Sequence, residues 1–381
     1  MHMKKVLLIA AAVVAAMTAC TKVNPTGDAQ REISFEVANS LTKATGSVYD
    51  NGAFGSYAWF NNTDDFMVNE KVDKSGGVWK TVDHTFYWPK TGSISFISYS
   101  PFAGTSDTAG SVPAITKSSI TYTGITAGST DLMYADRATC SSNVNDVTDG
   151  DGTADSGFSG VPTVFRHALA KLSFKMKANF VEYTDPTTNT TTLWEVTVTS
   201  AKIGGFKTTG NCALALNADG KSWDKPVTNI GTATDPVNVN VWTNLSGASS
   251  EQELIDATTY PDGVIFKKGN DSVKDLAAAS GFVMPQVLEA GAQQLKLTVH
   301  IKTTLSNGKV INEDFTPTID IKDISSLKAW QMNENIVYTI SIKPTAIADP
   351  NNNDNPNDVI ITFDPAVADW TVVDAAASIQ L

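Results

Sequence analysis

The sequence predicts an all-β protein built of β-sandwiches, and three observations support this fold class. Short segments of alternating apolar and polar residues recur along the chain, as at Ile33, Phe35 and Val37, and this period of two is typical of half-buried strands. Turn-forming pairs such as Asn51-Gly52 separate these segments. A sustained 3.6-residue period is missing, which argues against the alternating strands and helices of parallel α/β folds.

The predicted strands fall into two groups separated by a polar stretch, residues 141–160. The first group comprises Tyr57–Phe60, Val78–Val82, His84–Trp88, Ile94–Tyr99 and Ser119–Thr123. The second group comprises Lys171–Met176, Leu193–Ile203, Val237–Trp242, Gly263–Phe266, Gly281–Met284, Leu295–Ile301, Ile319–Ile321 and Ile336–Ile342. Short helical turns are predicted near Ser250–Ala257 and Val273–Ala279. This spacing of short strands is typical of sandwich domains.

Length and charge limit the possible classes of function. At 381 residues the chain is long enough for two or three domains, each with its own core. It carries 28 basic and 40 acidic residues, which gives a net charge of −12. Binding to nucleic acid through overall charge needs clustered Lys and Arg that displace counterions. The excess of acidic residues excludes this kind of binding. With 3 Cys the fold does not depend on disulfides, and whether Cys140 and Cys212 pair stays open.

The N-terminus predicts a bacterial lipoprotein signal peptide over residues 1–19. Lys4 and Lys5 form a basic start, and Val6–Met17 is an apolar run too short to span a bilayer. Small residues then lead directly to Cys20 in a pattern that resembles a lipobox. Cys20 is therefore the predicted lipidation site, and outer-membrane lipid is a predicted partner. The alternative is an ordinary signal peptide cut nearby, with Cys20 incidental.

The remaining chain divides into four parts. Residues 20–31 are a polar tether, residues 32–160 a first sandwich domain, and residues 161–348 a second. Residues 349–381 begin with an Asn-rich linker that is too polar to form a core. Apolar residues return after it as candidate C-terminal strands, at Ile361, Phe363, Trp370 and Val372. These strands either fold back on their own domain or insert into a neighbouring molecule.

The sequence predicts no catalytic, metal or cofactor site. His84, His167 and His300 stand apart from Cys and from paired acids, whereas metal sites need several ligands at set spacings. The stretch Asp149–Ala154 imitates a calcium loop but lacks its turn Gly and its closing Glu. Nucleophile elbows, P-loops and dinucleotide fingerprints are absent from the sequence. We therefore expect a protein that is not an enzyme and that needs no cofactor.

Clustered aromatic residues allow two interpretations. Tyr57, Trp59 and Phe60, or the segment Phe86–Trp88, would stack on sugar rings if a sheet face exposed them. Large side chains in β-domains more often fill the core, and we expect that role here. An exposed Trp59 or Trp88 would instead favour a glycan-binding protein.

Four phrases of the sequence resemble the fimbrillin, or Mfa-like, family of type V pilus proteins of Bacteroidia. They occur in the family's order behind the lipobox and together cover almost the whole chain after Cys20. The phrases are Phe86–Pro89 with Ile94–Pro101, Asp131–Ala135 with Phe165–Phe174, Phe282–Gln286 with Leu295–Ile301, and Trp330–Asn335 with Tyr338–Ile342.

The resemblance implies two transthyretin-like antiparallel β-sandwich domains and a role in a surface pilus. Family members reach the outer surface as lipoproteins, where a secreted trypsin-like protease removes an N-terminal segment that includes the first strand. The open groove then accepts a C-terminal strand of another subunit, and repetition builds a filament. In this sequence Ile33, Phe35 and Val37 form the strand to be displaced. The candidate donor residues are Ile361, Phe363, Trp370 and Val372.

The cleavage site has two candidates. Processing in the family follows Arg, yet Arg31 precedes the first strand, and a cut there would leave the groove filled. Lys43 follows that strand and suits a trypsin-like protease, so we prefer Lys43. The expected function is a structural pilus subunit at the outer membrane and cell surface, in adhesion or colonisation. The alternative is a monomeric surface lipoprotein that binds a glycan or another ligand.

Overall fold

The computed structural model describes residues 32–38, 49, 51–89, 91–104, 112–141, 147–148, 160–180, 184, 189, 191–215, 242–270, 272–305, 308–324, 327–345 and 358–368. For 358–368 and a few other strand residues it describes the backbone alone. The predicted lipidation and cleavage residues Cys20, Arg31 and Lys43 lie outside these residues, as do Trp370 and Val372.

The described chain consists almost wholly of β-strands, which confirms the predicted all-β class. In chain order the strands are β1 (Phe35–Ala38), β2 (Phe54–Phe60), β3 (Asp64–Ser75), β4 (Val78–Thr81), β5 (Ser93–Ser100), β6 (Ala114–Thr116), β7 (Ser119–Thr126), β8 (Met133–Ala135), β9 (Ala138–Ser141), β10 (Val147–Thr148), β11 (Val161–His167), β12 (Ala170–Ala178), β13 (Leu193–Gly204), β14 (Thr209–Ala215), β15 (Trp242–Ser246), β16 (Gln252–Glu253), β17 (Val264–Lys267), β18 (Lys274–Val283), β19 (Gln286–Val287), β20 (Gln294–Thr304), β21 (Val310–Phe315), β22 (Thr318–Asp320), β23 (Ala329–Trp330), β24 (Asn335–Thr345) and β25 (Asp358–Ala368). One helical turn, α1 (Ile321–Ile324), follows β22. Among the described residues, no helix is both long and apolar enough to cross a membrane.

Three predicted elements are wrong. The helical turn expected near Ser250–Ala257 is absent, and this segment contains the short strand β16 instead. A helical turn is expected over Val273–Ala279, but most of this segment lies in β18, which pairs with β12. The strand pairs with β12 on both sides of its Ala-rich stretch, at 274–276 and 281–283, and this pairing outweighs the helix propensity of the Ala residues between them. The segment His84–Trp88 is not a strand but a series of bends with one isolated bridge. The Thr81 hydroxyl donates to the His84 carbonyl, and this turn takes the chain out of the ladder.

Seven strands close into a barrel. Each pairs with the next in the order β5, β2, β3, β4, β1, β11 and β8, and β8 pairs in turn with β5. Closure pairs both edges of every strand in the ring, as in other β-barrels. β9 and β10 extend the sheet from β5. The interior is rich in aromatic side chains, among them Phe35, Phe54, Phe96 and Phe165.

A second core lies between two further sheets. One has the order β18-β12-β24-β25, and the other has the order β16-β13-β20-β21, with β17 paired to β13 and β22 to β20. Alternate residues point into this core, so Leu172, Phe174 and Met176 of β12 are buried while Ser173 and Lys175 between them are partly exposed. Trp330 and Tyr338 lie in the same core, where the indole N–H donates to the phenol oxygen at 2.9 Å.

A small sheet, β15-β14-β7-β6, joins strands that the sequence assigns to different domains, since β7 precedes residue 160 and β14 follows it. It covers the outer face of the barrel, where Trp59 and Ile97 pack in one cluster with Tyr122 and Trp242. β11, which follows the predicted boundary at 160/161, pairs within the barrel with β1 and β8. The division into domains stays a prediction.

The residues that link β11 to β12 are buried and contacted from both sides. On the barrel side, His167 Nδ1 lies 2.8 Å from the Asp131 carboxylate. On the sandwich side, the His167 N–H donates to the Asn333 side-chain oxygen at 3.1 Å, and the Lys171 N–H donates to the Glu334 carbonyl at 2.8 Å. The link therefore ties the barrel to the sandwich.

Candidate functional site

The predicted displaced strand lies in the barrel wall as β1. It pairs in parallel with β11, from Phe35 opposite Val161 to Ala38 opposite Val164. It pairs antiparallel with β4 only where Phe35 lies opposite Trp79. Because β1 stands between β4 and β11 in the ring, it is the strand that joins these two distant parts of the chain.

Side chains of this segment fill the barrel core. Ile33 is 1% exposed and Phe35 is 4% exposed, while Val37 is half-buried against the same cluster. The Phe35 ring meets Phe54 and Phe96 edge-on, with centroids 5.6 and 5.8 Å apart, which is a favourable arrangement of aromatic rings. Burial of the Ile33 and Phe35 side chains contributes about 3–6 kcal/mol together.

Two backbone hydrogen bonds position the chain just before the four-residue ladder of β1 and β11. The Ile33 N–H donates to the Phe86 carbonyl at 2.9 Å, and the Val161 N–H donates to the Ser34 carbonyl at 2.7 Å. Gly160 permits that close approach, because a Cβ there would stand 2.6 Å from the Ser34 carbonyl oxygen. Side-chain burial therefore holds β1 in place more than its short ladder does.

Without β1 the barrel would be open between β4 and β11. The residues that line this opening are mostly aromatic: Tyr49, Phe54, Trp79, Phe96 and Phe165. An apolar groove between two unpaired strand edges suits strand addition, since an incoming backbone satisfies the edges and alternate side chains fill the groove. The arrangement can bind an extended segment with apolar residues at every second position.

An ion pair braces β11 on the side away from β1. The Arg166 guanidinium donates from Nε and Nη2 to the two carboxylate oxygens of Asp136, at 2.8 and 2.7 Å. Both side chains are largely buried, and such a two-pronged pair is strong and directional. Since Arg166 lies opposite Tyr134 of β8, the pair fixes β11 to β8.

The predicted donor segment forms β25, an edge strand of the sandwich. It runs antiparallel to β24 over eleven residue pairs. The register sets Ile361 opposite Ile342 and Phe363 opposite Ile340. In this structure β25 thus pairs within its own chain, which is one of the two placements that the sequence left open.

The two tryptophans that an exposed glycan platform would need are buried. Trp59 is 5% exposed and Trp88 is 7% exposed, so both serve the cores, as the sequence predicts. Cys140 and Cys212 are also buried, and neither forms a disulfide. Burial raises the pKa of the Cys140 thiol to about 12, which leaves it protonated and unreactive.

The described histidines each pair with a single carboxylate. His84 contacts Glu70 and His300 contacts Asp314, in addition to the pair at His167. Within the part of the chain that the structure describes, no group of three or more His, Cys, Asp or Glu side chains is placed to hold a metal ion.

Sequence reasoning missed β11, the strand that pairs with β1 and forms one side of the groove. The apolar residues Val161, Val164 and Phe165 were a signal for it. Pro162 obscured that signal, because a Pro within a run weakens a strand prediction. Tyr49 was missed as well, since it stands alone beside a polar turn, yet its ring stacks on Phe165 at 4.8 Å.

One protein family and several solved structures are similar to this chain. A family model described as fimbrillin-like matches residues 42–370. A fimbrial protein from Bacteroides vulgatus is 16% identical, with a TM-score of 0.48, and the match covers 90% of this chain and 100% of that one. A candidate cell adhesion protein from Bacteroides uniformis is 18% identical, with a TM-score of 0.42, covering 89% of this chain and 98% of that one. No curated protein matches the chain.

Proposed function

The chain belongs to the fimbrillin-like family, and on that premise we propose that it is a structural subunit of a surface pilus. The family match includes most of the barrel, the sandwich and β25. Subunits that repeat head to tail need one surface that accepts a partner and another that is offered to it. In this chain the site of β1 is the accepting surface, and the C-terminal segment is the one offered to a partner.

The burial of β1 is the observation that carries the proposal. Ile33 and Phe35 fill an aromatic core, yet the strand has four residues and precedes Lys43 in the sequence. A cut after Lys43 separates β1 from all the strands that follow. The groove between β4 and β11 can then accept the segment 358–372 of a second subunit in its place.

The donor segment has the pattern that this groove requires. Ile361 and Phe363 are two positions apart, as are Trp370 and Val372, so each pair lies on one face of an extended strand. Ile33 and Phe35 have the same spacing. Nine positions separate Ile361 from Trp370, so the two pairs lie on opposite faces of one continuous strand. In the proposal Ile361 and Phe363 take the places of Ile33 and Phe35 in the groove.

Delivery to the surface follows from the N-terminal sequence. In the proposal, residues 1–19 direct export, Cys20 is acylated and holds the subunit in the outer membrane, and residues 20–31 form the tether. A trypsin-like protease then cuts after Lys43, which frees the subunit from the lipid and removes β1 in one step. In the proposal the barrel and the sandwich correspond to the two transthyretin-like domains that the family resemblance implies, and the filament serves adhesion or colonisation.

The alternative function, a monomeric lipoprotein with an exposed tryptophan platform for glycans, has less support. Trp59 and Trp88 lie in the cores rather than on a sheet face, so neither presents an open ring to a polysaccharide.

Mild trypsin treatment of the purified chain, lacking residues 1–20, tests the proposal. We expect loss of the segment that ends at Lys43, followed by ladders that resist SDS, because a donor strand buried in the barrel is released only when the barrel unfolds. A chain that is cut after Lys43 and stays monomeric would contradict the proposal.

Two variants serve as matched controls for that experiment. Lys43→Gln should prevent both the cut and the ladders. Arg31→Gln should leave both unchanged, because a cut after Arg31 does not release β1. Ladders that form equally well from the Lys43→Gln variant would show that assembly does not depend on removal of β1 at this site.

A further inference from the structure

A cleft of about 400 Å³ lies on the outer face of the barrel. One wall is formed by β2 and β3, and the other by the hairpin of β6 and β7. Its volume falls within the range of small-molecule sites, roughly 300–1,000 Å³. The groove of the proposed assembly lies inside the barrel, so the cleft is not used by it.

Two aromatic rings form the floor of the cleft. Tyr57 and Trp59 are two positions apart in β2 and therefore face the same side of the sheet. Their rings are nearly parallel, with centroids 6.4 Å apart and an interplanar angle of 18°. Trp59 is almost fully buried, whereas Tyr57 is half-buried, so Tyr57 supplies the accessible ring.

A free carboxylate stands beside this floor. Asp65 of β3 lies opposite Trp59 in the β2–β3 register and is exposed. Within the described chain, no hydrogen bond or ion pair joins its carboxylate to another residue. Thr116 and Ser118 of the facing hairpin line the opposite wall, and their hydroxyls can both donate and accept.

A side-chain hydrogen bond joins the two walls. The Lys117 ammonium, at the tip of the β6–β7 hairpin, donates to the Thr63 carbonyl in the turn between β2 and β3. The hairpin is closed by a 2.6 Å hydrogen bond between the Thr116 and Ser119 hydroxyls. A cleft that is already shaped spares a ligand the cost of ordering it.

We propose that this cleft binds a saccharide, with the apolar face of a pyranose ring on Tyr57 and two neighbouring hydroxyls donating to Asp65. A purely apolar ligand would bury the Asp65 carboxylate without a partner, which is costly. An anion would be repelled by Asp65, and a cation would meet the Lys117 ammonium in the same cleft. A neutral polyhydroxylated ligand satisfies the carboxylate, the hydroxyls and the aromatic floor together.

The proposal does not depend on the tryptophan platform that the sequence suggested, because the accessible ring is Tyr57. It is also independent of assembly, since the cleft and the β1 groove lie on opposite faces of the barrel wall. Variants in the cleft should therefore form ladders after trypsin as the parent chain does, whatever their effect on saccharide binding.

Titration of the chain lacking residues 1–20 with methyl glycosides of mannose, galactose and glucose tests the inference. Saturation-transfer NMR would detect the bound sugar, and tryptophan fluorescence would report changes beside Trp59. We expect saturable binding of at least one glycoside with a millimolar Kd, and weaker binding of at least one epimer, because Asp65 accepts from hydroxyls of one stereochemistry. Absence of saturable binding of all three up to ~50 mM would overturn the proposal.

Variants of cleft residues, each with a matched control, test whether the saccharide binds in the cleft. Asp65→Asn and Tyr57→Leu should each weaken binding about tenfold or more, whereas Tyr57→Phe keeps the ring and should retain most of it. Asp64→Asn alters the neighbouring exposed acid, which lies opposite Phe60, and should leave binding unchanged. Binding that is insensitive to Asp65→Asn and Tyr57→Leu, or tighter binding of tetramethylammonium than of any glycoside, would contradict the assignment.

Discussion

β1 and β25 are the first and last strands of the described chain, and they are held in different ways. β1 has four residues, and its segment is anchored by two buried side chains, Ile33 and Phe35, in the barrel core. β25 pairs over eleven residues with one neighbour, β24, at the edge of a sheet. Buried side chains anchor the first strand, whereas the last forms a long backbone ladder along one side.

This difference bears on what each region can do in an assembly. Removal of β1 would leave an apolar groove between two strand edges, which only a segment with matching side chains can refill. Removal of β25 would leave a single edge on β24. A groove gives selectivity to an acceptor, and an edge strand, paired along one side only, can leave its sheet by breaking a single ladder. The comparison therefore favours the barrel as acceptor and the C-terminal strand as donor.

Phe35→Ala should give the largest effect, because it empties the centre of the β1 site. We expect the free energy of unfolding to fall by about 3–5 kcal/mol, as for other buried Phe residues. Val37→Ala in the same strand should cost about 1 kcal/mol, since Val37 is half-buried. Urea unfolding followed by circular dichroism measures both. Equal effects of the two substitutions would show that side-chain burial is not what holds β1.

The Glu334 carboxyl lies directly before β24, the strand with which β25 pairs. Its ionisation therefore affects the stability of the sandwich rather than that of the barrel. Burial raises the pKa of Glu334 from its ordinary 4.5 to about 7. The folded chain therefore keeps a proton that the unfolded chain releases above pH 4.5, and the free energy of unfolding falls as the pH rises from about 4.5 to 7. Over this window the carboxyl should account for a loss of about 3 kcal/mol.

Glu334→Gln should abolish this dependence and stabilise the chain at pH 8, while its amide oxygen still accepts from the Gln331 N–H, as the carboxylate does at 3.1 Å. Glu289→Gln, at an exposed position, is the control and should keep the slope. Unfolding measured in urea from pH 4 to pH 8 separates the two variants. An unchanged slope in Glu334→Gln would mean that Glu334 is ionised in the folded chain.

Asp136→Asn should weaken the brace between β11 and β8 on the far side of the groove. It removes the charge that accepts from Arg166, and we expect a loss of about 1.5–3 kcal/mol. Asp275→Asn breaks the Lys175–Asp275 pair at 3.1 Å, which is exposed, and should cost less than about 0.5 kcal/mol. Hydrogen exchange should rise in β8 and β11 for Asp136→Asn alone. A uniform rise across the sandwich would contradict a local role.

Lys80→Ala should have the smallest effect. Lys80 contacts Glu32, just before β1, at 3.7 Å, and both side chains are 41% exposed. Exposed pairs of this kind contribute little, so we expect a change below about 0.5 kcal/mol in urea unfolding. A loss comparable to that of Phe35→Ala would mean that charge, rather than packing, retains β1 in the barrel.

Much of the fold could be predicted from the local sequence pattern. Apolar and polar residues alternate along a strand wherever one face of its sheet is buried and the other is exposed. Ile33, Phe35 and Val37 were identified in this way, and so were the main strands of the sandwich. The parallel pairing of β1 with β11 could not be predicted, since its register is set by a core assembled from distant segments. The Ala-rich middle of β18 suggested a helix for the same reason: pairing with β12 on both sides of it, at 274–276 and 281–283, outweighs its own propensity.

The most direct test of the account is strand capture by the emptied barrel. A chain of residues 44–357, which lacks both β1 and the donor segment, would be titrated with a fluorescent peptide of residues 358–372, and binding followed by anisotropy. We predict saturable binding that is absent when β1 is present and when Ile361 and Phe363 of the peptide are both replaced by Asp. A folded chain lacking β1 that does not bind the peptide, or that binds both peptides equally, would contradict the claim that the β1 site is the acceptor groove.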